Sequence, residues 1–113
     1  MQIYSIEPLL EHAIAFRQAS FDDRHETAFR LFNGFTEGQP DLVVDLYGKT
    51  FVLHNYADNP ATGFAVVQAA QEFLSARFPW LQAIVVKTRN ASSPEDRRGQ
   101  LVYGTKPDHK IRE

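Results

Sequence analysis

Apolar side chains recur along this chain with two different periods. Leu9, Leu10, Ala13 and Ile14 fall three and four residues apart, with Phe16 and Arg17 behind them, which predicts a helix from Pro8 to about Ala19 with one apolar face. Pro8 suits the first turn, where its missing N–H would find no partner in any case. Asp22-Asp23-Arg24-His25-Glu26 has no periodicity and reads as a charged loop. Ala28 to Asn33 is strand-like in composition, and Gly34 with Gly38-Gln39-Pro40 supplies turn chemistry after it. A second strand, Leu42 to Tyr47, places Leu42, Val44 and Leu46 on one face and Val43, Asp45 and Tyr47 on the other, so both faces are expected to be at least partly covered. Gly48-Lys49 suits a type II′ hairpin turn into a third strand, Thr50 to Tyr56.

The longest helical pattern follows. Asn59 can cap it and Pro60 fits its first turn, and from Thr62 to Phe78 the residues Phe64, Val67, Ala70, Leu74 and Phe78 form the inward stripe until Pro79 ends the run. Ala83 to Thr88 is a β-branched strand, so Thr50 to Thr88 makes a strand, helix, strand unit whose two strands are expected to lie parallel. Arg89 to Gly99 is polar and reads as an exposed loop, and Leu101 to Tyr103 as a last short strand. Thr105 to Glu113 carries too little apolar surface to pack and reads as the start of a linker. The predicted fold is α+β: an N-terminal helix, a mixed sheet of four or five strands with a central β-hairpin, and one long crossover helix, all within residues 1 to 104.

Composition narrows the chemistry. The 113 residues amount to one domain, with 43% hydrophobic, 12% aromatic and 23% charged side chains, ordinary values for a globular protein. With no Cys, disulfides, thiolate metal sites and cysteine nucleophiles are excluded together. The longest apolar runs, such as Ala83-Ile84-Val85-Val86, are far short of a membrane span, and the start lacks the pattern of a signal peptide, so no membrane partner and a cytoplasmic location are expected. The net charge of −2 is unevenly spread: residues 1 to 86 carry −5 and residues 87 to 113 carry +3.

A search for reactive constellations excludes most of them. His12, His25, His54 and His109 lie in different elements, with no i,i+4 pair and no HExxH, which argues against a metal site. The six glycines form neither GxGxxG nor GxxxxGK[ST], and no serine stands in GxSxG. Asn90-Ala91-Ser92 matches the glycosylation triplet but carries no weight without a secretion signal. Asp45 and His54 invite comparison with a carboxylate-oriented imidazole. Pairing around Gly48-Lys49 sets Tyr47 opposite Thr50, Asp45 opposite Val52 and His54 opposite Val43, which makes Asp45 and His54 diagonal neighbours on one face, in reach only of long side chains. That spacing favours a structural polar pair over a catalytic one. The basic residues of the C-terminal part either meet phosphates or form a solvated surface.

One segment says more. Phe29-Arg30-Leu31-Phe32-Asn33-Gly34-Phe35-Thr36-Glu37-Gly38-Gln39-Pro40-Asp41-Leu42-Val43-Val44-Asp45-Leu46-Tyr47-Gly48 resembles a stretch of the class I S-adenosylmethionine-dependent methyltransferases of the cytosine-C5 type that act on large-subunit rRNA, which read Y/F-R-L, a glycine- and acid-rich turn, then LPGLVVDRYG. The chain departs from that pattern at Phe35, where an acid is common, at Gln39 for Leu, Asp41 for Gly and Leu46 for Arg. The order of a preceding helix, a crossover helix, and then Asp96-Arg97-Arg98-Gly99, Leu101-Val102-Tyr103-Gly104 and Lys106-Pro107 is also similar to the run before that family's methyltransferase domain. The resemblance implies a small accessory domain, followed beyond Glu113 by a Rossmann-like catalytic domain that carries the S-adenosylmethionine site and the cysteine nucleophile. It gives no residue here a catalytic, cofactor-binding or metal role. It also implies structured RNA, expected to be rRNA, as a partner, with Arg30, Lys87, Arg89, Arg97, Arg98, Lys106 and Lys110 as the contact candidates. Two other classes remain open: a free-standing interaction module or homodimer formed through an exposed sheet edge or an apolar sheet face, and a small enzyme using Asp45 and His54.

Overall fold

The computed structural model describes residues 6–104. The expected linker from Thr105 to Glu113 lies outside them, as do Lys106 and Lys110. The elements are α1 (Glu7–Phe16), a 3-10 turn (Gln18–Ser20), β1 (Ala28–Asn33), α2 (Gly34–Glu37), β2 (Leu42–Tyr47), β3 (Thr50–Asn55), α3 (Pro60–Arg77), β4 (Ala83–Thr88), α4 (Pro94–Arg98) and β5 (Gln100–Gly104). The five strands form one mixed sheet in the order β1-β2-β3-β4-β5, with β3 and β4 parallel and the other neighbours antiparallel. The α+β class, the mixed sheet and the long crossover helix are those the sequence predicts.

The hairpin register follows from its two-residue turn. Tyr47 pairs with Thr50, Asp45 with Val52 and Val43 with His54. Gly48 has φ 61 and Lys49 a negative φ, so only the first central residue is left-handed, which distinguishes type II′ from type I′. Parity then sends Val44, Leu46, Phe51, Leu53 and Ile84 to one face, where Leu10, Ala13 and Ile14 of α1 and Val67, Ala70 and Leu74 of α3 cover them in a single core.

Both outer ladders contain a bulge. Arg30 pairs with Asp45 and Phe32 with Val44, so Leu31 is extra, and the consecutive Leu31 and Phe32 are both fully buried in the core. On the other side Val85 pairs with Leu101 and Ile84 with Tyr103, which leaves Val102 extra.

Four expectations need correction. The first helix ends at Phe16 and passes into a 3-10 turn, because from Ala15 to Ser20 no side chain reaches the core; Phe16 itself is 77% exposed. Phe64, expected on the inward stripe of α3, is 64% exposed, and the inward position is taken by Gly63, whose hydrogen faces the Asn55 amide with no room for a Cβ. Residues 34 to 37, expected as a turn, form the short α2, closed by Gly38 in the left-handed region. The expected loop from Arg89 to Gly99 contains α4, started by Pro94 and anchored by the Arg97 N–H donating to the Ser93 carbonyl at 3.2 Å. No helix among the described residues is long and apolar enough to cross a membrane.

Candidate nucleic-acid interface

The sheet face turned away from α1 and α3 carries a row of ionisable side chains across four strands. The β1–β2 register puts Arg30 directly opposite Asp45, and the guanidinium donates to both carboxylate oxygens, Nε to Oδ1 at 2.8 Å and Nη2 to Oδ2 at 3.2 Å. A bidentate fork of this kind is among the stronger charge-assisted contacts. From the diagonal position on β3, His54 reaches the same carboxylate, with Nε2 3.0 Å from Oδ2. An ionised carboxylate can only accept, so Nε2 donates. Lys87 on β4 is the register neighbour of His54.

Asp45 is only 8% exposed. Burial pushes its carboxyl up, but the hydrogen bonds from His54 and Arg30 outweigh that and hold it below the usual carboxylate range. Burial also pulls the Lys87 ammonium down, partly offset by the nearby Asp45 charge. The diagonal register of Asp45 and His54 favours contact only between long side chains, yet the two meet at 3.0 Å. The geometry nevertheless does not make a reactive pair. Arg30 neutralises the carboxylate, and the clefts of about 850 and 380 Å³ are lined by other residues. The row is a polar crosslink between strands.

The other candidates divide by what already holds them. Arg89 lies at the end of β4, its guanidinium 5.1 Å over the Tyr56 ring and 3.8 Å from the Asp58 carboxylate, with Nη2 donating to the Tyr56 carbonyl at 3.4 Å. Tyr56 is in turn 5.6 Å from the His54 ring, which links this aromatic and cationic cluster to the charged row. Arg97 folds back on its own loop, donating to the carbonyls of Ala91 at 2.7 Å and Ser92 at 3.3 Å. Arg98, at the end of α4, is exposed, and its side chain makes no hydrogen bond or ion pair with another described residue. Arg30, Lys87 and Arg89 therefore share one surface, while Arg98 stands on the adjoining α4. Sequence reasoning did not find Tyr56 as the residue that positions Arg89; an aromatic at the end of β3 beside a cation at the end of the parallel β4 was the available signal.

Whether these residues also hold S-adenosylmethionine turns on the parallel β3-α3-β4 unit, where a nucleotide-like ligand would meet a helix start. Here the donors are spent internally: Asn55 accepts from the Ala57 N–H at 3.1 Å, and Asn59 accepts from the Ala61 N–H at 3.1 Å. Asn55 also donates to the Pro60 carbonyl at 3.0 Å, and the connection contains no glycine. The described residues do not fit the cofactor. Among them, no group of three or more His, Asp or Glu side chains could hold a metal ion.

No protein-family model matches the chain, and no curated protein matches it. Solved structures do. A proposed SAM-dependent methyltransferase from Streptococcus mutans aligns at 14% identity with a TM-score of 0.70 over 95% of this chain. SMU.776, a proposed methyltransferase solved in complex with SAH, aligns at 14% identity with a TM-score of 0.71 over 96% of it. This chain spans 27% of the length of each. At such identity the likeness establishes the shared fold.

Proposed function

We propose that this chain is the N-terminal accessory domain of an S-adenosylmethionine-dependent RNA methyltransferase in the cytoplasm, and that it positions structured rRNA for a Rossmann-like catalytic domain on the same polypeptide. The observation that carries this reading is the coverage: nearly the whole fold recurs as 27% of proteins described as methyltransferases, one of them with SAH bound. The methyl donor and the chemistry belong to the rest of such a protein, since the residues described here do not fit the cofactor. The surface formed by Arg30, Lys87 and Arg89, with Arg98 beside it, supports a contact with phosphates while the target base is held elsewhere.

Two experiments test the reading. Labelled methyl transfer from S-adenosylmethionine to rRNA is expected for the intact protein and absent for the 113-residue chain; turnover by the short chain alone refutes it. In the intact protein, charge reversal at Arg97 and Arg98 is expected to weaken RNA binding and to reduce the slope of log affinity against log salt by about one for each phosphate no longer neutralised. Arg98→Glu is the sharper variant, because Arg97 also holds its own loop. Unchanged affinity and slope remove the RNA contact.

A further inference from the structure

The cations of the charged face are partly spent on their own neighbours. Arg30 turns the edge of its guanidinium to Asp45, through Nε and Nη2, and Arg89 turns its own to the Tyr56 carbonyl and the Asp58 carboxylate. Burial pulls the Lys87 ammonium down. Three cations thus stand against two carboxylates, so counterion release at this face supports a salt slope of only about one. A paired RNA helix is held through its phosphates and ribose hydroxyls and finds little purchase here. RNA that binds this face needs a second source of affinity.

The same side chains supply it as flat surfaces. The Arg89 guanidinium lies 5.1 Å over the Tyr56 ring, a cation–π stack already assembled, and the His54 ring stands 5.6 Å from Tyr56. Arg30 is within electrostatic range of Tyr56 and Tyr47. With their edges engaged, the guanidinium planes are fixed in orientation while the side chains stay open to solvent, 54% exposed for Arg89 and 46% for Arg30. The helices α1 and α3 cover the other face of the sheet, and α4 only borders this one, where Gly99 packs against Val85 and Lys87. Aromatic rings and arginine planes held open in this way are what splayed, unpaired bases stack on, and a base inside a duplex cannot reach them. We propose that this face takes unpaired RNA, with one base stacked on the Tyr56–Arg89 pair and a neighbouring one on the Arg30 guanidinium. The proposal rests on the RNA reading above and specifies the state of the RNA that the domain holds.

Two probes of equal charge test it on the intact protein: a short oligouridylate, and an abasic ribose-phosphate strand of the same length. The oligouridylate is expected to bind about tenfold more tightly, because only it has bases to stack. Arg89→Lys keeps the charge and removes the plane, so it is expected to erase most of that preference while leaving the abasic strand's affinity and the salt slope unchanged. Tyr56→Leu, with its Tm measured as a check on folding, is expected to do the same. Equal affinity for the two strands, or tighter binding of a duplex than of the oligouridylate, overturns the stacking and leaves the phosphate contact of the functional reading standing. A base preference that neither variant reduces lies elsewhere in the protein and also overturns the assignment. Binding of none of the three probes overturns it as well, and methyl transfer to rRNA by the same protein then decides the functional reading separately.

Discussion

On the helical face of the sheet, Val44, Leu46, Phe51 and Leu53 are covered by α1 and α3 with side chains of their own kind. On the opposite face neither of these helices is present, and the strands are tied through Arg30, Asp45 and His54. The first arrangement is non-directional and tolerates changes of shape at modest cost. The second depends on one carboxylate serving two cationic or polar partners, so its failure is concentrated at a single residue. The same helical face changes character at its margin, where β4 and β5 extend past α3 and Phe64 meets water.

Substitutions can break or sharpen this contrast. The largest effect is expected for Asp45→Ala, which leaves Arg30 and His54 adjacent with no acceptor between them and should cost about 2–4 kcal/mol in urea unfolding; a loss below about 0.5 kcal/mol would mean the charged row does not hold the strands. Gly63→Ala drives a Cβ into the Asn55 amide that closes the β3–α3 connection, with an expected cost of about 1–3 kcal/mol. A third test uses acid. Asp45 and Glu37 are both held below the usual carboxylate range in the fold; burial opposes this, but hydrogen bonds from His54 and Arg30 to Asp45, and from Arg17 and the Asn33 N–H to Glu37, prevail. A depressed folded value means that the contribution is fully present above the unfolded value of about 4 and fades as pH falls through the folded one. Stability is thus expected to drop as pH falls below the unfolded value of about 4, and Asp45→Asn should flatten that drop while Glu37 keeps part of it. The smallest effect is expected for Glu11→Ala, which removes the exposed ion pair with Arg77 at 3.0 Å and should change stability by about 0.5 kcal/mol or less.

Much of the fold was legible because local signals agreed with tertiary ones. Gly48-Lys49 fixed the hairpin register residue by residue, and the β-branched run Ala83 to Thr88 became the parallel β4 within its expected bounds. The charged row was legible only in part: the turn placed Asp45 and His54 on one face, but Arg30 came opposite Asp45 through the bulge at Leu31, which no local pattern announces. Phe64 was misplaced for a related reason. Helical spacing alone treats it as core, whereas the close approach of α3 to Asn55 demands a residue without a Cβ on the inner side and turns Phe64 outward. α4 was missed because a proline and four charged residues carry no apolar periodicity, and its start depends on Pro94 following Ser93.

The paired irregularities at Leu31 and Val102 also bear on how this domain behaves in a crowd. Each sits in an outermost strand, so a stray polypeptide approaching either flank of the sheet meets a kinked rail rather than a straight one. Five strands can therefore stand side by side with little invitation to a sixth, since one surplus residue in each edge strand disfavours further pairing at both flanks.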